Sequence, residues 1–204
     1  MNRIDATCGA SGRPRRLLRA LLRARRGIAG LEFALVAPFP VLLMLATADL
    51  TFFVRTKLRL NSTASSVAQM VTQYTELYSG DFATIAQASQ LVAGSVPVTG
   101  KFGATVVSGI TNVSGTPVIA WQQVTSGSTF KSQFGVAGSV PKLPGGYVPP
   151  VGVTLIVTEV YTVATPWVFS ASIMGGAGTT VVGSVSLLQP RLAPLASITP
   201  GTRA

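Results

Sequence analysis

The chain has no histidine and one cysteine, Cys8, among its 204 residues. No disulfide can form within it, and a metal site built on imidazole or thiolate is excluded. Charge is also scarce: Asp, Glu, Lys and Arg make up 11% of the residues, where soluble domains carry about 25%. The carboxylates beyond the first third, Glu76, Asp81 and Glu159, are far apart in sequence and could pair for acid–base chemistry only through the fold. On a strand, Glu159 is expected to be solvated or paired with an arginine. No glycine-rich run is followed by the Lys, Thr and helix that cradle a phosphate. Ser128-Thr-Phe-Lys131 matches S-x-x-K, but no K-T-G partner follows, so it reads as a turn. These absences predict a structural component without catalytic residues, cofactor or metal, and not an enzyme.

What is present is basic and apolar. The formal net charge is +10, but its distribution argues against nucleic acid. Arg3, Arg13, Arg15, Arg16, Arg19, Arg23, Arg25 and Arg26 crowd the first 27 residues, opposed by Asp5 alone. Arg55, Lys57 and Arg59 form a second group. Beyond them Lys101, Lys131, Lys142, Arg191 and Arg203 nearly balance Glu76, Asp81 and Glu159. Two collars flanking an apolar run are the pattern of a membrane segment, not of a stripe that tracks phosphates.

Between the collars, the 27 residues from Ile28 to Val54 contain no Lys or Arg. A helix of that length crosses a hydrocarbon core of about 30 Å at about 1.5 Å per residue. The heavier arginine collar keeps the N-terminus cytoplasmic and places the C-terminal body outside. Pro38 and Pro40 lie mid-span and predict a kink or a melted turn around Phe39. Glu32, near the inner end, is out of place, because an ionised carboxylate in lipid costs several kcal/mol unless it is paired. One reading is a permanent single-pass anchor with Glu32 at the interface, bearing an ectodomain that binds a cell-surface partner. Another is a cleavable secretory signal with Ala46-Thr47-Ala48 as its site; against it stand Glu32, the two prolines and the length of the run.

A third reading starts from Gly27. A basic leader, Gly27, four residues, Glu32, the aromatic Phe33 and an apolar helix resemble the processing site of type IV pilins and pseudopilins. Gly27-Ile-Ala-Gly-Leu-Glu-Phe-Ala-Leu-Val-Ala-Pro38 is similar to the N-terminal motif of the TadE-like proteins of tight-adherence (Tad, or Flp) pilus systems. Ile156-Val-Thr-Glu-Val-Tyr161, then Pro166, then Gln189-Pro-Arg191 resemble the C-terminal stretches of that family, without its usual second Tyr and with Gln189 in place of a common Arg. The resemblance implies a pilin-like fold in a bacterial inner-membrane protein with its C-terminal domain periplasmic, and leaves open incorporation into the pilus. It implies cleavage by a prepilin peptidase between Gly27 and Ile28, with Glu32 and Phe33 as recognition and assembly residues. The implied partners are that peptidase, pilin subunits and other pilus assembly proteins. The new ammonium at Ile28 would lie about one helical turn from Glu32, and a neighbouring subunit's ammonium would pair with the carboxylate and offset the desolvation of both groups.

The expected organisation is a leader over 1–27, a transmembrane helix over 28–54, an amphipathic helical extension over 55–91 and a β-rich domain over 92–204. Arg55 to Tyr78 holds no Gly or Pro, and Leu60, Ala64, Val67, Ala68 and Val71 recur at helical spacing. Asp81 is placed to cap a second helix running through Leu91. Beyond Val92, segments 104–108, 117–124, 153–163 and 179–187 are rich in Val, Ile and Thr and separated by Gly/Pro turns, which predicts strands. Segment 135–150 reads as a long loop. The fold class is α+β: a long N-terminal helix packed on a small antiparallel sheet, with the four strands in meander order and the sheet covering the apolar face of the helix.

Overall fold

The computed structural model describes residues 28–165 and 180–203. The leader over 1–27, with Gly27 and Cys8, lies outside the described residues, as does segment 166–179. The chain divides into two compact units, Met1–Ala48 and Asp49–Ala204.

In the first unit, helix α1 spans Ile28–Val36 and helix α2 begins at Pro38 and runs to Thr72. The interruption is at Ala37, two residues before the position expected from the sequence. Pro38 and Pro40 have no N–H to donate to the preceding turn, so the helical ladder is interrupted just before Pro38. Pro38 and Pro40 then occupy the first turn of α2, where proline is best tolerated. They leave the carbonyls of Ala34 and Val36 without their i+4 donors. Ala37 N still donates to Phe33 O at 2.8 Å, and Val41 N reaches Ala37 O at 3.4 Å.

From Leu31 to Leu58 the large apolar side chains are exposed; Phe33 retains 74% of its surface and Met44 75%. Taken together across the interruption at Ala37, the helical span Ala29–Thr72 is long and apolar enough to cross a membrane. Further along α2 the pattern changes to one buried stripe: Thr56, Leu60, Thr63, Ala64, Val67, Ala68, Val71 and Thr72, at steps of three and four. Helix α2 ends at Thr72, short of Tyr78. Arg191 N donates to the terminal carbonyl of Thr72 at 3.2 Å.

Helix α3 spans Asp81–Ala93 and buries Ile85, Ser89 and Ala93. Its N-cap is Gly80; the Asp81 carboxylate accepts from Tyr78 N at 3.0 Å, outside the helix.

The sheet has strands β1 (Gly103–Asn112), β2 (Pro117–Val124), β3 (Thr154–Ala164) and β4 (Thr180–Leu188). All neighbours are antiparallel, in the order β2-β1-β3-β4. The four strands are therefore present, but not as a meander. After the β1–β2 hairpin, segment 125–153 carries the chain to the far side of β1, and on the way it lays Phe134 and Leu143 against the sheet. That detour explains why β3 is apolar on both faces. Ile156 and Val160 join the clusters containing α2, while Leu155 and Val157 pack with Ile110, Ile119, Phe134 and Leu143. Each fully buried side chain of this size contributes about 1.5–3 kcal/mol.

A bulge in β2 makes this two-sided packing possible. Gly109 pairs with Trp121, but the next residue, Ile110, pairs with Ile119. The extra residue puts Ile119 in the cluster under the 125–153 segment and Trp121 in the α2 cluster, on opposite faces, where strict alternation would have put them on one. Trp121 lies over Gly109, and a Cβ there would fall 2.2 Å from its Nε1. The indole N–H donates to Leu195 O at 2.8 Å, which ties the C-terminal tail to the core.

Gly109→Ala should lower stability by about 1–3 kcal/mol through overpacking against Trp121, read as a fall in the melting temperature of the detergent-solubilised chain. Thr158→Val should act in the opposite direction. The Thr158 hydroxyl is buried with no hydrogen-bond partner among the described residues, so an isosteric methyl should raise stability by roughly 1 kcal/mol in the same melt.

Candidate functional site

The segment singled out from the sequence begins at Ile28, the first residue of α1. Gly27 lies outside the described residues, so the bond between them has no described geometry. Glu32 and Phe33 follow in the second turn of α1, both exposed. Among the described residues Glu32 has no ion pair or side-chain hydrogen bond. The helical rise puts it about 6 Å along the axis from Ile28. Pro38 and Pro40 lie just past the break at Ala37. The arrangement is a short apolar helix with a carboxylate near its start, ending at a proline-enforced interruption, and nothing described within the chain covers it.

A second cluster was not anticipated. Glu159 lies mid-strand in β3 and is fully buried, not solvated or arginine-paired. Its carboxylate accepts hydrogen bonds from Ser132 Oγ, the backbone N–H of Gln133 (3.0 Å) and the Tyr161 hydroxyl. Two of these donors come from segment 125–153, so Glu159 fastens that segment to the sheet. Phe130 adds to the clasp by stacking on Tyr161, with centroids 5.8 Å apart and planes within 6°. Tyr161 in turn lies over Gly183, where a Cβ would come within 2.7 Å of its ring. The alternation of β3 placed Glu159 and Tyr161 on one face, but no sequence signal pointed to Ser132. Ser128 Oγ accepts from Phe130 N at 3.1 Å, so the S-x-x-K stretch is the turn that presents Phe130.

A third arrangement closes the end of the domain where α2 terminates. Tyr78 bridges to Thr199 in parallel. Arg203 lies over the rings of Tyr74 and Tyr78, at 5.2 and 5.6 Å, donates to Glu76 O, and approaches the Asp81 carboxylate at 3.8 Å. The Tyr78 hydroxyl is raised above its ordinary pKa, first by its hydrogen bond to Glu76. An open cleft of about 720 Å³ runs between α3 and the β1–β2 edge, lined by Phe82, Ala86, Gln90, Thr105 and Gln123 among others. Among the described residues no group of three or more carboxylates or other ligating side chains could hold a metal.

Comparison with protein-family models, curated proteins and solved structures finds no match.

The clasp has a pH signature. Burial, and after it the hydrogen bond to Glu159, raise the Tyr161 hydroxyl well above its ordinary value of 10.0. The unfolded chain therefore loses this proton at a lower pH than the folded one, so the folded state binds more protons over the interval between. The stabilisation is complete below pH 10.0 and is lost as the pH climbs toward the folded value. Denaturant melts between about pH 9 and 11 should show stability falling with pH, and Tyr161→Phe should flatten that slope. The same substitution should cost about 1–2 kcal/mol at neutral pH. The slope left in the variant belongs in part to Tyr78.

Proposed function

We propose that this chain is a TadE-like minor pilin or pseudopilin of a tight-adherence pilus. In this reading it is an inner-membrane protein with a cytoplasmic leader and a periplasmic domain. A prepilin peptidase cuts after Gly27, and the mature chain takes part in pilus assembly with pilin subunits and other assembly proteins. It performs no catalysis itself. The observation that carries the reading is Glu32: a carboxylate on an exposed apolar helix, about one turn from the residue that cleavage would make the N-terminus.

The physical case has two parts. An uncompensated carboxylate in hydrocarbon is costly, and the chain offers it no partner among the described residues. A neighbouring copy's ammonium at Ile28 supplies one, so assembly removes a penalty that the isolated subunit carries. The second part is the exposed apolar surface of 31–58, which exceeds what a soluble monomer leaves uncovered and suits lipid first and neighbouring helices afterwards. The interruption at Ala37 leaves two carbonyls without helical donors, and neighbouring helices are one source of partners for such groups in lipid.

Mass spectrometry of the membrane-extracted protein should give a mature N-terminus at Ile28; an intact leader would sink the processing claim and leave the anchored, partner-binding reading, for which the cleft beside α3 is the natural site. Gly27→Leu should abolish processing. Glu32→Ala should be processed normally yet leave the cells without pili, and normal piliation in that variant would remove the role assigned to the carboxylate.

A further inference from the structure

The charges of the sheet-bearing unit are unevenly placed. Among the described residues, Glu76 and Asp81 lie at the end where α2 terminates, together with Arg203 and the backbone contact of Arg191. Glu159 is buried on the face under segment 125–153. The opposite end holds cations. Arg55, Lys57 and Arg59 occupy the turns of α2 that follow the apolar run, all exposed. The core beneath them is Leu60, Ala93, Val98, Val160, Ala164 and Val182. That cluster fixes which parts of the chain share this end: the C-terminus of α3, the connection to β1, the end of β3 and the start of β4. Lys101 and Phe102, in a single 3-10 turn just before β1, therefore lie there too.

The connection is held in one shape. The Gln90 side chain donates to Gly94 O and Val96 O at 3.0 Å each and accepts from Val98 N at 3.1 Å. Arg59 donates to Ala93 O at 3.3 Å, and Lys57 donates to Gly183 O. These carbonyls orient the two cations without neutralising them. Phe102 is 59% exposed with the Lys101 ammonium 5.8 Å from its ring centroid, and Leu91 at the end of α3 is 82% exposed. Four cations and a protruding aromatic thus share one end of the domain, where Asp49, six residues before Arg55 on α2, is the carboxylate nearest to them in sequence.

We propose that this end of the domain is a lipid-docking surface: Arg55, Lys57, Arg59 and Lys101 engage anionic phospholipid head groups, and Phe102 enters the interface between them. The surface follows directly in sequence on the proposed span, which ends at Val54, so the membrane it would meet is the one the chain crosses. Charge complementarity selects the occupant. A lipid surface offers phosphates to all four cations at once, each strengthening association about fivefold near an anionic surface, while the apolar ring of Phe102 suits the boundary between head groups and acyl chains. The proposal rests on the membrane-crossing part of the function proposed above and not on leader processing. Its consequence is a domain held against the membrane until it is pulled away, with charge as the latch.

The test uses the full chain carrying Cys8→Ser and Phe102→Cys, labelled at 102 with an apolar environment-sensitive dye. It is reconstituted in nanodiscs of phosphatidylcholine alone, or with phosphatidylglycerol at about one part in four. Insertion is checked first by resistance to alkaline extraction. The dye should be several-fold less accessible to aqueous iodide in the anionic discs than in the neutral ones, and about 0.5 M salt should restore access. Lys101→Gln combined with Arg55→Gln, neither of which has a described hydrogen bond to lose, should restore access at low salt. An inserted chain whose dye is equally accessible in both lipids overturns the docking surface and leaves the span intact. Equal shielding in both lipids overturns the role of charge, and a chain that does not insert overturns the docking and the membrane reading together.

Discussion

The domain is organised around one strip of α2. Leu60, Ala64, Val67 and Val71 are fully or almost fully buried, and the sheet, α3 and the C-terminal tail contribute to covering them. Ile156 and Val160 of β3 do so from the sheet, Val107 and Trp121 from β1 and β2, Ile85 and Ala93 from α3, and Leu195 from the tail. A helix with one apolar stripe must bury it against another layer, and a four-stranded sheet is wide enough to do so. The small residues matter as much as the large ones. Thr63, Ala64 and Ala68 are fully buried in the stripe without adding bulk to it, and Gly109 accepts the indole of Trp121 where a methyl group would collide with it.

The same helix lives under two regimes. Up to Leu58 its apolar side chains are exposed in all directions, and beyond Thr56 one face is buried. The basic collar at Arg55, Lys57 and Arg59 coincides with that change. In water the first regime has no physical justification, whereas in lipid it needs none. Two carboxylates break that regime, Asp49 near its outer end and Glu32 in α1 near its inner end. The functional reading depends on Glu32, which among the described residues has nothing to pair with, and not on the cleft beside α3.

The outer face of the sheet is built differently. It is covered by a connecting segment instead of a helix, and that segment has few apolar residues to spend: Phe134 and Leu143 are buried, and Phe130 stacks on Tyr161. A buried carboxylate does the rest. Glu159 receives a hydroxyl, a backbone N–H and a phenol, which satisfies its oxygens where no described cation does. Such a group is worth more in fixing one arrangement than in raising stability.

Composition and spacing alone determined that this chain has no disulfide, a long apolar helix ringed by arginines, an amphipathic continuation and four β segments, because each of these follows from local periodicity or from residues that are absent. The α+β class and the covering of α2 by the sheet were legible for the same reason. Strand order was not. Both a meander and the observed β2-β1-β3-β4 order satisfy identical strand patterns, and the choice was made by the burial of Phe134 and Leu143 across the sheet, a contact between residues distant in sequence. The environment of Glu159 escaped notice for a related reason, since a lone carboxylate on a strand is buried or solvated according to what a remote loop brings to it. Only the tertiary structure could decide that, because hydrogen-bond donors such as Ser132 and the Gln133 amide carry no sequence pattern of their own.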